Sequence, residues 1–211
     1  MTHVSTIRKR GYHHGSLREA LVQVTLELIQ TEGPEGFTLS KAARRAGVTP
    51  AAVYRHFSGR DNLLTECARE GYASFAECLS DAYGDGQPCP RTAFAAMGEA
   101  YLSFVFNNPG YYVAMYESGI PQDRTPELAE AAGAAHAVLE RAAADLSRRL
   151  PPEKRQPIKL VSAHIRALSH GVAQLFVRGD LKDHPSLTPE EVLKSGVGTY
   201  LRGLGVIPQD P

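Results

Sequence analysis

The side chains between residues 49 and 60 are of the kinds that bind phosphate groups. Thr49 offers a hydroxyl, and the backbone N–H groups after it would open a helix, where anions are bound well. Hydrogen-bond donors and cations then follow within one short segment: Tyr54, Arg55, His56 and Arg60. Ala51 and Ala52 are short enough to approach a major groove closely and to contact a thymine methyl group. These residue types predict contact with a nucleic-acid duplex.

Each of these features also has a plainer interpretation. Tyr54 alone is compatible with a core position, and His56 alone is more often an exposed or hydrogen-bonded histidine than a binding group. Upstream, Arg8, Lys9 and Arg10 form a basic arm that would follow a DNA backbone or enter a minor groove. The same arm would also serve as a solvated tail, so both interpretations stay open.

Residues 36–64 have the pattern needed to present these side chains. The sequence predicts a short helix over residues 39–46, a turn at Gly47 and a second short helix over residues 49–56. Glycine suits the turn because it adopts positive φ without a steric penalty. Val48 is expected to plug between the two helices, and the alanines of the first helix let them approach closely. The pattern predicts a helix-turn-helix, although a plain corner between two helices would have the same spacing.

A second group of side chains, between residues 101 and 116, is suited to an apolar ligand. The candidates are Tyr101, Phe104, Tyr111, Tyr112, Met115 and Tyr116, and we add His170 from a later helix. Phenols and a thioether can line a pocket for a hydrophobic or aromatic small molecule. Ordinary core packing explains most of these residues equally well. Isolated histidines on apolar helices (His136, His164 and His170) are also more often hydrogen-bonded core residues than ligand contacts.

The sequence has no set of residues with catalytic or metal-binding spacing. It lacks a nucleophile elbow, a phosphate-binding glycine loop and an H-E-x-x-H motif, which argues against an enzyme. Cys67 and Cys78 share a helix face but lie about 16 Å apart along it, too far for a disulfide. A redox switch through a cysteine of a second chain is an alternative with little support. We therefore expect no cofactor and no metal.

The composition fits a folded protein with one basic end. The chain has 211 residues, 43% of them hydrophobic, and 23 basic and 23 acidic side chains. Residues 1–60 hold nine Lys or Arg and four Glu, whereas residues 61–211 hold 14 basic and 19 acidic groups. A basic head on an acidic body suggests that a polyanion is bound at one end. Three unpaired cysteines, no apolar run that could cross a membrane and no signal peptide predict a cytoplasmic protein.

Helical patterns run through almost the whole sequence. Four helix starts carry a capping side chain before a proline, which is tolerated in the first helical turn: Thr49-Pro50, Asn108-Pro109, Thr125-Pro126 and Thr188-Pro189. Because no strand alternation is present, we predict an all-α fold of about nine helices. The expected division is an N-terminal domain of residues 1–60, with three helices, and a C-terminal domain of residues 61–211 that begins with a long helix.

A longer motif runs through the helix-turn-helix segment: Thr38-Leu39, Ala43, Ala46-Gly47-Val48-Thr49, Val53-Tyr54, His56-Phe57, Arg60 and Leu63-Leu64. It resembles the N-terminal domain of the TetR/AcrR family of transcriptional regulators. Tyr12-His13-His14-Gly15 resembles the opening of one subset of that family, so the likeness covers roughly residues 12–66. Ser169-His170-Gly171 resembles the Trp-His-Gly segment of its C-terminal domain, with serine in place of the tryptophan.

The resemblance implies roles for individual residues of the motif. Family residues that commonly contact phosphates match Thr38, Thr49, Tyr54, His56 and Arg60, where arginine replaces the usual lysine. Family positions that face the bases or their rim match Ser40, Pro50, Ala51, Ala52 and Arg55. Arg44 and Arg45 lie on the supporting helix, within reach of the DNA backbone. Since only Ser40 and Arg55 of the base-facing set have much hydrogen-bonding capacity, methyl contacts and DNA shape are expected to contribute to specificity.

The resemblance also implies a homodimer that binds a palindromic double-stranded DNA operator and releases it when a small-molecule effector binds. In the family, the last two long helices pack against their mates, and apolar stripes on residues 158–176 and 192–204 permit this. The stripes would equally serve the core of a single chain. We therefore predict a ligand-responsive regulator, most often a repressor. The alternatives are a small-molecule-binding or scaffolding helical dimer with degenerate DNA recognition and, with less support, a helical enzyme.

Overall fold

The computed structural model describes residues 17–207. Within this range the chain forms nine α-helices: α1 (Leu17–Gly36), α2 (Leu39–Arg45), α3 (Pro50–Tyr54), α4 (Arg60–Tyr83), α5 (Pro90–Asn107), α6 (Pro109–Tyr116), α7 (Pro126–Ser147), α8 (Ile158–Val177) and α9 (Pro189–Gly203). Short 3-10 turns follow α4 and α7, at Gly84–Gly86 and Pro152–Lys154. The described residues contain no strand, so the predicted all-α fold is confirmed. We call α1–α3 the head and α4–α9 the body.

Some predictions concern residues that the structure does not describe. The basic arm (Arg8, Lys9 and Arg10) and the Tyr12-His13-His14-Gly15 segment lie outside residues 17–207. Among the helices that are described, none is both long and apolar enough to cross a membrane.

The head is organised by the apolar face of α1. Leu21 and Leu28 are buried on this face, and Val24 is half-buried beside them. The backbone leaves helical geometry at Gly33, where φ is 73°, and Pro34–Gly36 then add one further turn. This break directs the chain from α1 into α2.

The helices α2 and α3 form the predicted helix-turn-helix. Thr38 and Thr49 each accept a hydrogen bond from the backbone N–H three residues later, so each helix begins at a side-chain cap. Gly47 makes the turn with a φ of 69°. Val48 is half-buried against the core, and the alanines of α2 are buried there too. Packing of small side chains therefore holds the two short helices close together.

The predicted caps of the body helices are present in two cases out of three. Thr125 and Thr188 cap α7 and α9, and the carboxylate of Glu191 accepts a bond from the Thr188 backbone in return. Asn108 behaves differently, because its side chain donates to the carbonyl oxygen of Phe104 at the end of α5. Asn108 therefore closes one helix and does not cap the next.

The body is built around the long helix α4. It packs against α5, α6 and α7, while α8 packs against α7 and α9. At the end of α4 the Tyr83 hydroxyl donates to Asp145 of α7 at 2.7 Å. One buried cluster includes Leu21 of the head, Phe75 of α4 and Leu201 of α9. The head and the body therefore share a continuous core.

Part of each apolar stripe, on α8 and on α9, packs within the chain itself. The buried residues of these stripes are Val161, Ile165, Val172, Leu193 and Leu201. These five side chains therefore serve the core of a single chain, which is one of the two interpretations that the sequence left open. They are unavailable to a second chain.

Candidate nucleic-acid interface and internal cavity

Most residues predicted to contact DNA are exposed in the head. They are Thr38, Ser40, Arg44, Arg45, Thr49, Pro50, Ala51, Tyr54, Arg55 and His56. Tyr54 is 59% exposed, so the plainer interpretation of this tyrosine as a core residue does not hold. The exposed side chains are available to a partner without any rearrangement of the head.

Ala52 does not belong to this exposed set. Its side chain is buried, with 6% exposure, whereas Ala51 beside it faces solvent. Successive side chains on a helix point to different sides, so in the five-residue helix α3 one of these alanines faces the core and the other faces solvent. The prediction that Ala52 faces a base is therefore corrected, and Ala51 remains as the short apolar residue at the surface.

Thr38 and Thr49 cap their helices and still keep a free donor. Their Oγ1 atoms accept backbone hydrogen bonds at 3.2 and 3.3 Å. A hydroxyl that accepts one bond retains its proton for donation. Both residues are therefore able to donate to a phosphate oxygen while they hold α2 and α3 in place.

Two arginines of the head have unpaired guanidinium groups. Within residues 17–207, Arg44 and Arg55 form no ion pair and no side-chain hydrogen bond. Arg45, in contrast, pairs with Glu27 at 2.9 Å, although both side chains are more than half exposed and such pairs are weak. Arg44 and Arg55 would meet a phosphate or a base without breaking any of the contacts described.

Arg60 has a structural role that the sequence did not indicate. Its Nη2 atom donates to the carbonyl oxygen of Pro34 at 2.6 Å, and its Nε atom donates to that of Phe37 at 3.4 Å. These bonds tie the start of α4 to the last turn of α1 and to the residue that follows α1. A phosphate contact of Arg60 would therefore compete with bonds inside the head.

A nearly buried carboxylate joins the head to the body. The Glu66 side chain of α4 is 11% exposed and accepts hydrogen bonds from Arg18 of α1 and from Arg69. Arg18 also lies over the ring of Phe57, 5.1 Å from its centroid. Burial raises the pKa of Glu66, but the two arginines outweigh burial and hold that pKa at about 2. Glu66 is therefore ionised at neutral pH.

A cavity of about 1030 Å³ lies between α4, α5, α7, α8 and α9. Its apolar lining includes Phe75, Leu79, Phe94, Met97, Leu102 and Leu139. Its polar lining includes Tyr101, Tyr116, Gln122, His136, Arg166 and His170. Mostly apolar walls with a few polar groups are typical of sites for small organic molecules.

Three of the seven residues predicted to bind a ligand line this cavity: Tyr101, Tyr116 and His170. The other four lie behind its wall, in the core: Phe104, Tyr111, Tyr112 and Met115. For these four the prediction of ligand contact is corrected to core packing, which was the alternative interpretation.

The packing of the four core residues explains the difference. The Phe104 ring lies against Phe75, with centroids 5.0 Å apart, and Tyr112 stacks on His170 at 5.7 Å. A Cβ atom on Gly71 of α4 would lie 2.9 Å from the Met115 sulfur and 3.1 Å from the Tyr111 ring. Tyr111 and Met115 thus fill the contact between α4 and α6, and Phe104 and Tyr112 support residues that line the cavity.

Gln122 and Arg166 line the cavity without any signal in the sequence, and His136, which the sequence favoured as a core histidine, lines it too. Gln122 precedes α7, His136 lies on α7 and Arg166 lies on α8. Gln122 donates to the hydroxyl of Tyr72 at 2.6 Å, and the His136 ring lies 6.4 Å from the Tyr72 ring. No regular spacing in the sequence relates these residues, because only the folded chain brings their segments together.

The short helix α6 links the cavity wall to the head. Gly110 at its start lies so close to α1 that a Cβ atom would be 2.8 Å from the carbonyl oxygen of Leu26. Tyr116 at its end lines the cavity. The Tyr72 hydroxyl of α4 also donates to the backbone of Met115, at 3.3 Å. A displacement of the cavity wall at α6 would therefore shift the contacts of α6 with both α1 and α4.

Comparisons with known proteins agree with this architecture. The uncharacterized HTH-type transcriptional regulator YobS from Bacillus subtilis is 27% identical over 100 residues, which span 47% of this chain and about half (51%) of YobS. The nucleoid occlusion factor SlmA from Vibrio vulnificus is 26% identical over 193 residues, covering 86% of this chain and 94% of SlmA. A solved protein of unknown function from Rhodococcus sp. RHA1 superposes with a TM-score of 0.76 and 27% identity, over 92% of this chain and 98% of that one.

Two family models match the chain, one in each region. The model of bacterial regulatory proteins of the tetR family matches residues 21–67, which contain the helix-turn-helix. The model of the tetracyclin repressor-like C-terminal domain matches residues 94–200, half of the chain. Membership of the Trp-His-Gly subset stays a prediction. The exposed helix-turn-helix, the helical body and both family matches lead to one conclusion: the chain is a transcriptional regulator and belongs to the TetR family.

Proposed function

We propose that the chain is a ligand-responsive repressor that binds a palindromic DNA operator as a homodimer and releases it when a small molecule fills the cavity. The observation that carries this proposal is the combination of two sites in one chain. An exposed helix-turn-helix bears the unpaired arginines Arg44 and Arg55, and α6 packs on α1 of the same head while its Tyr116 lines a cavity of about 1030 Å³. Residues 1–60 would then be the DNA-binding domain, and residues 61–211 would bind the effector and the second chain.

The proposed DNA contacts follow the exposure of the side chains. Thr38, Thr49, Tyr54 and His56 would contact phosphates, with Arg44, Arg45 and Arg60 along the backbone. Ser40, Pro50, Ala51 and Arg55 would face the bases or their rim. Because phosphate contacts release bound counterions from DNA, the affinity is expected to fall steeply as salt rises. The mainly apolar cavity lining supports a hydrophobic or aromatic effector.

A second copy of the chain would cover an exposed face of α8. This face carries Leu160, Ala163, Ala167, Gly171 and Leu175, of which Ala163 and Ala167 also belong to the cavity lining. Three of the large hydrophobic residues exposed in the described chain lie on this helix: Leu160, Leu175 and Val177. The small residues between the leucines permit close approach of another helix. A two-fold pair would present two copies of α3 about one DNA turn apart, the geometry that reads a palindrome.

The ligand signal would pass from the cavity wall to the head. A molecule against Tyr116 contacts α6, whose first residues pack on α1 at Gly110. The same molecule contacts α4 at Phe75, and α4 leads directly into the head. The effector must bind the conformation that does not fit DNA more tightly than the one that does, because only differential affinity shifts such an equilibrium.

Binding to the DNA that flanks the gene for this chain tests the DNA contacts. Arg44→Ala and Arg55→Ala are each expected to weaken binding about tenfold and to lower the salt slope by about one, measured by fluorescence anisotropy at several salt concentrations. Lys154→Ala removes an equal charge from an exposed turn of the body and should leave both quantities unchanged. Wild-type affinity in both arginine variants would overturn the proposed interface.

Oligomeric state tests the α8 face. Ala167→Glu places a carboxylate in the middle of that face and is expected to produce monomers in sedimentation or light-scattering measurements. Ala134→Glu is the matched control, because it makes the same change at an exposed position of α7. Equal oligomeric states for the two variants would exclude this face as the dimer contact.

One observation favours the alternative of a helical dimer with degenerate DNA recognition. Only Ser40 and Arg55 of the base-facing set have much hydrogen-bonding capacity, and the burial of Ala52 removes one of the two alanine methyl groups from the exposed surface. The alternative predicts equal affinity for the flanking DNA and for random DNA of the same length. A preference of a hundredfold or more for the flanking DNA would support the repressor proposal, since specific binding normally exceeds non-specific binding by at least about a thousandfold.

A further inference from the structure

Two polar atoms at the cavity are buried without any hydrogen-bond partner in the described chain. They are the hydroxyl oxygen of Tyr101 on α5 and the Nδ1 atom of His170 on α8. Buried polar groups in folded proteins are almost always hydrogen-bonded, because an unpaired one loses its interaction with water and gains nothing. Both residues line the cavity, so a molecule inside it is able to supply the missing partner.

Arg166 supplies a positive charge beside Tyr101 and Tyr116. Arg166 lines the cavity and forms no ion pair within residues 17–207. Burial raises the pKa of the Tyr101 and Tyr116 hydroxyls, and Arg166 opposes this effect at both. Burial is the largest influence on His170 and lowers its pKa, Arg166 lowers it further and the carboxylate of Glu117 raises it, so the net shift favours the neutral imidazole.

The carboxylates of the lining do not neutralise Arg166. Glu99, Glu190 and Glu191 are exposed, as Arg166 is, but unlike Arg166 none of the three shifts the pKa of Tyr101 or His170. The Glu191 carboxylate is already bonded to Thr188 at the start of α9. A cation placed beside Tyr101 would therefore be repelled by Arg166, whereas an anion would find a charge partner and hydrogen-bond donors.

The rest of the cavity is suited to a hydrocarbon body. Phe75, Phe94, Met97 and Leu139 are buried apolar residues of its lining. We propose that the cavity binds a small organic carboxylate with an aromatic or acyl body. Its carboxylate pairs with Arg166 and accepts hydrogen bonds from the Tyr101 hydroxyl and from His170 in the tautomer that carries its proton on Nδ1. This inference rests on the proposed function only in taking the cavity as the effector site.

Matched probes test the ligand class on the wild-type protein. Naphthoate, naphthylmethanol and naphthylmethylamine share one aromatic body, and decanoate, decanol and decylamine share one acyl body. In each series the carboxylate is expected to raise the thermal unfolding temperature most and the amine least, because ligand bound to the native state stabilises it. Amines that bind as well as carboxylates would overturn the proposal, and so would the absence of binding by all six probes.

Two variants separate ligand binding from a structural role. Tyr101→Phe removes an unpaired hydroxyl, so the unliganded protein should be as stable as wild type or more stable, while affinity for the bound carboxylate falls about tenfold. Arg166→Gln should abolish the preference for carboxylate over alcohol. The control is Arg178→Gln, at the exposed arginine that follows α8 and lies outside the cavity, and it should retain the preference. A Tyr101→Phe variant that is destabilised but binds carboxylates normally would show a structural role only.

DNA release separates this inference from the proposed function. The carboxylate that binds best is added to the complex with flanking DNA, and fluorescence anisotropy follows dissociation. Release would support both ideas. Tight binding without release would leave the ligand class in place and would overturn the effector role of the cavity. Release by the alcohol or the amine at lower concentrations than by the carboxylate would overturn the ligand class alone.

Discussion

The candidate binding groups are exposed in the head and buried in the body. In the head, Arg44, Tyr54 and Arg55 stand outside a closely packed apolar interior. In the body, the Tyr101 hydroxyl and the His170 Nδ1 atom are buried beside a cavity. A DNA duplex is larger than the head, so it contacts side chains on the surface of the head. A small molecule must be enclosed by the protein to bury enough of its own surface. The two regions are therefore built for partners of different size.

The two regions meet at a small number of close contacts. Gly110 of α6 touches the backbone of α1, and Glu66 of α4 is paired with Arg18 of α1. In the proposed mechanism these contacts carry the effect of the ligand to the head. A change there should affect both regions, whereas a change within one region should leave the other intact.

The largest effect is expected at the contact between α1 and α6. Gly110→Ala would place a Cβ atom 2.8 Å from the carbonyl oxygen of Leu26, a backbone atom that moves only together with α1. Overpacking of this kind lowers the free energy of unfolding by about 1–3 kcal/mol, and the upper half of that range is expected because the neighbour is backbone. Urea unfolding followed by circular dichroism measures the change.

The control for Gly110→Ala is the same substitution at Gly133 of α7. A Cβ atom there would have no neighbour within 4 Å. Gly133→Ala should therefore leave the stability unchanged or raise it by up to about 1 kcal/mol, since alanine favours helix over glycine. Similar losses in the two variants would mean that the head and the body are not packed as closely as Gly110 indicates.

The same contrast explains how much of the molecule could be predicted from sequence. The helix-turn-helix is a local structure: Thr38, Gly47 and Thr49 act on residues next to them in the chain, so their types and spacing are sufficient. The starts of α7 and α9 were predictable for the same reason. Asn108 was not, because its choice between α5 and α6 depends on which carbonyl lies within reach.

The cavity could be predicted only in part, because its lining comes from distant segments. Tyr101 and Tyr116 were found as members of an aromatic-rich stretch, but that stretch also contains core residues such as Tyr112. Which side of a helix faces a cavity depends on the neighbouring helices. Nothing in the sequence indicated that Arg166 lines a cavity, since an arginine on a long helix normally lies on a solvated face.

A smaller effect is expected at the ion pair between the two regions. Glu66→Gln removes the charge that Arg18 and Arg69 stabilise, and we expect the free energy of unfolding at pH 7 to fall by about 1–2 kcal/mol, after allowance for the partial exposure of both arginines. Because the pKa of Glu66 is lowered to about 2, its contribution is complete above about pH 5 and is lost as the pH falls toward 2.

The pH dependence distinguishes this ion pair from simple packing. Unfolding curves of wild type and Glu66→Gln should differ at pH 7 and converge as the pH falls from about 5 toward 2, because protonation removes the same charge from the wild type. Circular dichroism in urea at several pH values makes the comparison. A difference that stays constant over this pH range would show that the glutamine loses shape complementarity and not charge.

The smallest effect on stability is expected from removing one helix cap, and the same removal can be made in the head and in the body. Thr49 and Thr125 accept equivalent backbone hydrogen bonds, at 3.3 and 3.2 Å. Replacing either threonine with alanine should lower the free energy of unfolding by about 1 kcal/mol, a value that thermal unfolding can resolve. The two variants should differ in DNA binding, because only Thr49 lies in the helix-turn-helix and has a hydroxyl proton available for a phosphate.

Thr49→Ser separates the cap from the phosphate contact. Serine keeps the hydroxyl, so this variant should retain both the stability and the DNA affinity of the wild type. Thr49→Ala should lose several-fold in affinity under conditions where it remains fully folded, while Thr125→Ala should bind DNA like the wild type. If Thr49→Ala also binds normally, the hydroxyl of Thr49 serves only to start α3, and the surface of the head that meets DNA is confined to the side chains beyond it.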